Sequence, residues 1–241
     1  MNADRMATNI RRIATILKKY KIIDDKSKRL LFEVASNVRT SRKDQWELTI
    51  HPGKPLEFAI AENDDRLKTD LFCNIMTINN ETFPISYLRL VLRVWSIKQN
   101  LSFRSDWDSE KINQQLIKRG LFNRVVFRCH YDSTSKDQYA PIFHLQFGGT
   151  SHPGELCWFP KNLELPRFPS PPIDLILACE LVVATFFPSI FKKLCQEGNW
   201  VNLIQESEKF FMKKYYKLCM EHFANQYEDK TLLDRLCVTI S

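Results

Sequence analysis

The densest chemistry in this chain falls between residues 124 and 149, RVVFRCHYDSTSKDQYAPIFHLQFGG. Arg128, His130 and Asp132 alternate there with Cys129 and Tyr131. Further on, His144 and Gln146 alternate with Phe143, Leu145 and Phe147. Residues two apart on a strand share a face. Two strands paired antiparallel about the polar link 133–140 therefore bring Arg128, His130, Asp132, His144 and Gln146 to one surface. Two imidazoles and a carboxylate can ligate a divalent cation. They can equally act as a general base with the carboxylate that orients it. Arg128 can hold a phosphate or carboxylate. Arg128, His130, Asp132 and His144 are thus the catalytic candidates, and Gln146 a binding group. The simpler alternative is a polar sheet face whose groups bond one another or contact a ligand or partner. There is no HExxH, P-loop, GxGxxG or GxSxG, so no resident metal or cofactor is expected.

Those residues need a sheet to hold them, and the flanking sequence supplies one. From Trp46 the apolar period is two: Trp46, Leu48 and Ile50, then Leu56, Phe58 and Ile60 after the turn Pro52–Pro55. Residues 71–78 continue the pattern, and residues 87–98 alternate strictly, with Leu88, Leu90, Leu92 and Val94 opposite Arg89, Val91, Arg93 and Trp95. Short alternating runs separated by turn signals predict an antiparallel meander. A helix is expected over 108–119, closed by Gly120, and a further short strand over 156–165. The segment PRFPSPP, 166–172, is read as a boundary that cannot continue a sheet.

Helices flank this sheet. Residues 5–20 carry Ile10, Ile13, Leu17 and Tyr20 on one side and Arg11, Arg12, Lys18 and Lys19 on the other, and residues 28–38 form a second helix that Asp24 or Asp25 can cap. After the Pro-rich boundary an apolar run, 173–188, reads as a buried helix that Pro188 ends or kinks. It is too short to span a bilayer and contains Asp174 and Glu180. A long helix from about Asn199 to Tyr227 should bury Trp200, Leu203, Ile204, Phe211, Tyr215, Leu218 and Phe223, and expose a lysine stripe at 209, 213 and 217. The expected fold class is α+β: an antiparallel β-sheet (meander) of five to seven strands, flanked by N-terminal helices and a C-terminal helical segment. It is read as a single domain, 1–241, with a basic helical segment 1–40, a β-rich core 44–165 and a helical segment 170–241.

Composition narrows the function classes. Hydrophobic residues make up 44% of 241, with 17 Phe, enough for a real core. Seven cysteines, an odd number with no CxxC, predict reduced thiols. With no leader-like start, the expected place is the cytoplasm, with no membrane contact. The net charge of +7 is carried by residues 1–45, which hold 12 Lys/Arg against 5 Asp/Glu. Such a segment suits nucleic acid or an acidic protein. Arg11, Arg12, Lys18 and Lys19 are its binding candidates. Arg89 and Arg93, beside Trp95 on one strand face, are candidates for a stacking platform.

The order FRCHYD, PIFHLQFGG, LPRFPSPPIDLILACELVVATFF resembles a pattern in uncharacterised bacterial proteins: R-x-[DH]-x-D, then H-x-[HQ], then R-x-P before an apolar helix. It covers about 60–65 residues of the 241. Arg128, His130, Asp132, His144, Gln146 and Arg167 fall on it. The chain departs where an acid is commoner than His130 and a second histidine commoner than Gln146, which weakens a metal-ligand set. The resemblance implies a fold and, for some such proteins, an accessory place in prokaryotic antiviral defence. The function expected is a non-catalytic binding or assembly subunit of a bacterial cytoplasmic complex. Its partner is expected to be a protein, with nucleic acid as a further possibility. The alternative is a phosphodiester hydrolase using the His/Asp/Arg site of the central hairpin.

Overall fold

The computed structural model describes residues 1–40, 45–63, 67–77, 85–96, 125–133, 143–147, 168–224, 231–232 and 236. The helix expected over 108–119 and the strand expected over 156–165 lie outside them. The elements run α1 (Ala3–Lys19), α2 (Asp25–Thr40), β1 (Glu47–Ile50), β2 (Leu56–Ile60), β3 (Leu67–Thr77), β4 (Ile85–Ser96), β5 (Val125–Ser133), β6 (Phe143–Phe147) and β7 (Phe168–Pro169). Four helices follow: α3 (Leu175–Phe186), α4 (Pro188–Leu194), α5 (Gly198–Phe211) and α6 (Lys213–Ala224). The fold is α+β, and every strand pairing is antiparallel.

The α1–α2 hairpin forms because each helix has one apolar side and a clear stop. Asn2 caps α1 by accepting from the Arg5 N–H, and Asp24 accepts from the Ser27 N–H at 2.7 Å before α2. The α1 C-terminus ends with Lys21 at φ 60 and the Ile22 N–H bonded to the Leu17 carbonyl at 2.9 Å, a Schellman closure. Ile10, Ile13, Leu17, Leu31, Val34 and Val38 are buried in the joint core.

The sheet order is β1-β3-β4-β5-β6-β7, and β2 also pairs with β3. β1 registers Ile50 on Cys73 and β2 registers Leu56 on Leu71. The two strands therefore follow one another along the same edge of β3, and the Pro52–Pro55 turn expected to reverse the chain is a detour. His51 closes it, its Nδ1 accepting from the Gly53 N–H at 3.0 Å. β3 starts earlier than its apolar run suggests, at Leu67, which brings Asp70 into the sheet.

The Pro-rich segment, expected to be unable to continue the sheet, does continue it. Phe168 and Pro169 pair with Leu145 and His144 as a two-residue strand beyond β6. Proline is tolerated at the edge of a sheet, where its missing N–H is not demanded by a further neighbour.

One sheet face, with Leu48, Ile50, Leu56, Leu71, Cys73, Ile75, Leu88, Leu90 and Leu92, is buried in the core shared with the helices. Trp46 meets Phe211 of α5 edge to face, centroids 6.4 Å apart. Asp174, expected as a stray charge in an apolar run, is the α3 N-cap: its carboxylate accepts from the Leu177 N–H at 2.9 Å and from the Ser207 hydroxyl. Pro188 opens α4 at its first turn, where no N–H is needed. Glu62, just past β2, accepts from the Ser189 N–H of that turn at 2.9 Å.

The single long C-terminal helix is instead two, α5 and α6, meeting at Met212. Trp200, Leu203, Ile204, Phe211 and Tyr215 are buried as expected. Phe223 is not: it is 72% exposed. Among the described residues no helix is long and apolar enough to cross a membrane.

Candidate functional site

The opposite face of the sheet carries the candidate chemistry. Strand register sorts it into rows that cross the sheet, since directly opposed residues share a face. The first row is Thr49–Asn74–Arg89–Asp132–His144–Pro169. The second is Phe72–Val91–His130–Gln146. The third is Glu57–Asp70–Arg93–Arg128. Neighbours within a row have Cα atoms about 4.5–5.5 Å apart. The expected hairpin is therefore present, with Asp132 opposite His144 and His130 opposite Gln146. Arg128, His130, Asp132, His144, Gln146, Arg89 and Arg93 are all registered on one face. Arg167 lies outside the described residues.

The third row is built around an ion pair. Arg93 Nε donates to Asp70 Oδ1 at 2.7 Å, and Arg93 Nη2 to Asp70 Oδ2 at 3.0 Å, a bidentate fork. Both residues are buried, and the guanidinium lies 5.0 Å from the Phe72 ring centroid. A paired, buried guanidinium stacked on an aromatic ring is held as structure, not offered as a stacking platform. At the outer end of the row, the Glu57 carboxylate accepts from Lys68 Nζ at 2.6 Å and from Lys26 Nζ at 3.2 Å. Hydrogen bonding to Lys68 holds the Glu57 carboxyl below its usual range, against a smaller opposing effect of burial.

Phe72, Val91 and His144 are buried too, while Arg89 and Gln146 are half-buried. The arrangement can position a carboxylate and an imidazole side by side in the first row, with a cation next to them on β4. Among the described residues no cluster of three or more His, Cys, Asp or Glu could hold a metal ion.

The four N-terminal candidates divide by what they touch. Lys18 bonds Asp25 and Lys19 bonds Glu197, each at 2.8 Å. Arg12 is exposed. Arg11 lines a groove between α1 and α2. These helices share one core with the apolar face of the sheet. They belong to a surface separate from the polar face.

Two sets of residues were not singled out as functional by the sequence, Phe223 among them having been expected in the core. Asp70 was missed because a strand begun at Leu71 leaves it in a loop. Its signal was present in the alternation of Asp70, Phe72 and Asn74 against Thr69, Leu71 and Cys73. The second set is Tyr216, Met220 and Phe223 on α6, which are 50%, 71% and 72% exposed. They recur at i, i+4 and i+7, a core spacing on an exposed face. The exposed Lys213 and Lys217 run beside them.

The chain matches no family model, no curated protein and no solved structure.

Proposed function

We propose that this chain is a non-catalytic binding or assembly subunit of a bacterial cytoplasmic complex. The observation that supports it is the α6 stripe of Tyr216, Met220 and Phe223, three large side chains at least half exposed on one helix face. A row of exposed apolar groups of this size on a soluble surface marks a contact site. Lys213 and Lys217 alongside it fit an amphipathic helix with an acidic flank on a partner protein. The chemistry candidates on the sheet fit the same reading, because Arg93 is neutralised by Asp70 and His144 is buried. Nucleic acid is a further partner suggested by the basic segment 1–45. A place in antiviral defence rests on the resemblance alone.

The test compares the chain with a Met220→Glu/Phe223→Glu variant in extracts of its native cells. The expected result is a complex larger than the 28.5 kDa chain that the double substitution returns to monomer mass. The purified protein should run as a monomer. A purified dimer abolished by the same change would make the occupant a second copy, and monomer mass for both proteins in extracts would overturn the reading.

A second reading, hydrolysis of phosphodiesters, is favoured by the Arg89–Asp132–His144 row, which sets a carboxylate opposite an imidazole. It requires turnover of bis-p-nitrophenyl phosphate that His130→Ala and His144→Ala abolish without unfolding the protein. No turnover with a divalent cation present rejects it.

A further inference from the structure

We propose that the groove between α1 and α2 binds a phosphate-bearing ligand of nucleotide size. This stands apart from the α6 surface and the sheet face and needs neither.

The groove is open to solvent, has a volume of about 700 Å³ and is lined by Arg11 of α1 and by Asp25, Lys28, Arg29, Phe32, Glu33, Ser36 and Asn37 of α2. That volume is in the range of small-ligand sites. Four other basic groups of the two helices are already committed to acids, and Arg12 is exposed. Arg5 is bound to Glu206, Lys18 to Asp25, Lys19 to Glu197 and Lys26 to Glu57. Arg11, Lys28 and Arg29 make no ion pair among the described residues. Of the two acids in the groove, Asp25 is already neutralised by Lys18, whose hydrogen bond is the main reason its carboxyl is held low; Lys28 and Arg29 add to the effect. Three cations then face Glu33 alone, and the groove is left positive.

The groups are also arranged to hold an anion. Arg11 is fixed from two sides: its Nη2 donates to Ser36 Oγ at 2.8 Å, and its guanidinium lies 5.2 Å from the Phe32 ring centroid. The Lys28 ammonium lies 5.6 Å from the same ring. Arg11 Nε–H is buried and donates to nothing. A buried donor with no acceptor is uncommon in a folded protein and calls for one. A phosphate entering the groove meets the cations of Arg11, Lys28 and Arg29 together. The half-buried Phe32 ring at the groove wall gives a planar group an apolar surface, as in aromatic recognition of bases. A phosphate attached to a planar ring, a nucleotide, satisfies both features. It can arrive free or as a unit of a single strand.

The test is titration of the full chain with inorganic phosphate, AMP and a fluorescein-labelled 12-mer of oligo(dT), at 50 and 200 mM salt. The variants are Lys28→Gln/Arg29→Gln, whose side chains leave the core untouched, and Phe32→Ala, with folding checked by circular dichroism. AMP is expected to bind, at least tenfold more weakly to the Lys28/Arg29 variant. Phe32→Ala is expected to lower AMP affinity more than phosphate affinity. An oligomer that binds more tightly than AMP, with salt dependence reduced in the Lys28/Arg29 variant, assigns the ligand to a strand. AMP binding with no gain for the oligomer assigns it to a free nucleotide. The proposal is overturned if no phosphate probe binds at millimolar concentration, or if binding is equal in the wild type and the Lys28/Arg29 variant.

Discussion

Asp174 allows a buried interaction to be weighed by pH. Its carboxylate is fully buried, caps α3 and accepts from the Ser207 hydroxyl. Burial pushes its pKa up from 3.8 to about 6, with the hydrogen bonds opposing. A raised folded pKa means that the native state holds the proton more tightly than the unfolded chain. The resulting stabilisation is fully present below the unfolded value and is lost as pH rises through about 6. A shift of this size is worth about 3 kcal/mol in all, of which about 2 kcal/mol develops between pH 7.5 and 4.5. Asp174→Asn keeps the acceptor for the Leu177 N–H and does not titrate. Every other acid titrates alike in both proteins, so the difference between them isolates Asp174. Urea denaturation followed by tryptophan fluorescence at pH 7.5, 6.5, 5.5 and 4.5 measures it. The wild type should gain about 2 kcal/mol on the variant over that range. A difference that does not change with pH, or that grows in the wild type's favour as pH rises, would refute the assignment of a destabilised buried carboxylate.

Other consequences are open to the same denaturation measurement. Asp70→Asn removes the counter-charge from the buried Arg93 guanidinium and should cost about 3–5 kcal/mol, whereas Asp70→Leu/Arg93→Met should recover most of the loss; a cost below about 1 kcal/mol would mean that the pair is not the anchor of its row. Glu180, raised to about 7 by burial and by Glu208, loses its protonated stabilisation as pH rises through that value. Glu180→Gln should therefore be more stable than the wild type at pH 8, with the advantage fading toward pH 5. Lys21→Gly relieves a left-handed residue at φ 60 and should add about 0.5–1 kcal/mol, read as a small rise in Tm.

Much of the sheet was legible because alternation is a local property. Leu88, Leu90 and Leu92 against Arg89, Val91 and Arg93 declare two faces whatever the partner strand is. The same rule applied to FRCHYD and FHLQF placed the central hairpin and its two faces. Helix ends were legible where a cap has a side-chain signature, as at Asp24. Where the pattern is ambiguous, the reading went astray: the detour after His51 has the letters of a reversing turn, and Phe223 has the spacing of a core residue.

Local pattern alone carried the fold class, the antiparallel sheet with one apolar and one ionisable face, and most of the residues on the polar face, Asp70 excepted. Backbone periodicity and side-chain polarity are written residue by residue, so these need no knowledge of distant contacts. Only the tertiary structure decided which of those groups are committed. Asp70 and Arg93 lie 23 positions apart and Asp174 and Ser207 lie 33 apart; whether such charges meet depends on strand register and helix packing. The same long-range packing left Tyr216, Met220 and Phe223 uncovered. It also paired Arg5, Lys18, Lys19 and Lys26 with acids and left Arg11, Lys28 and Arg29 around an open groove.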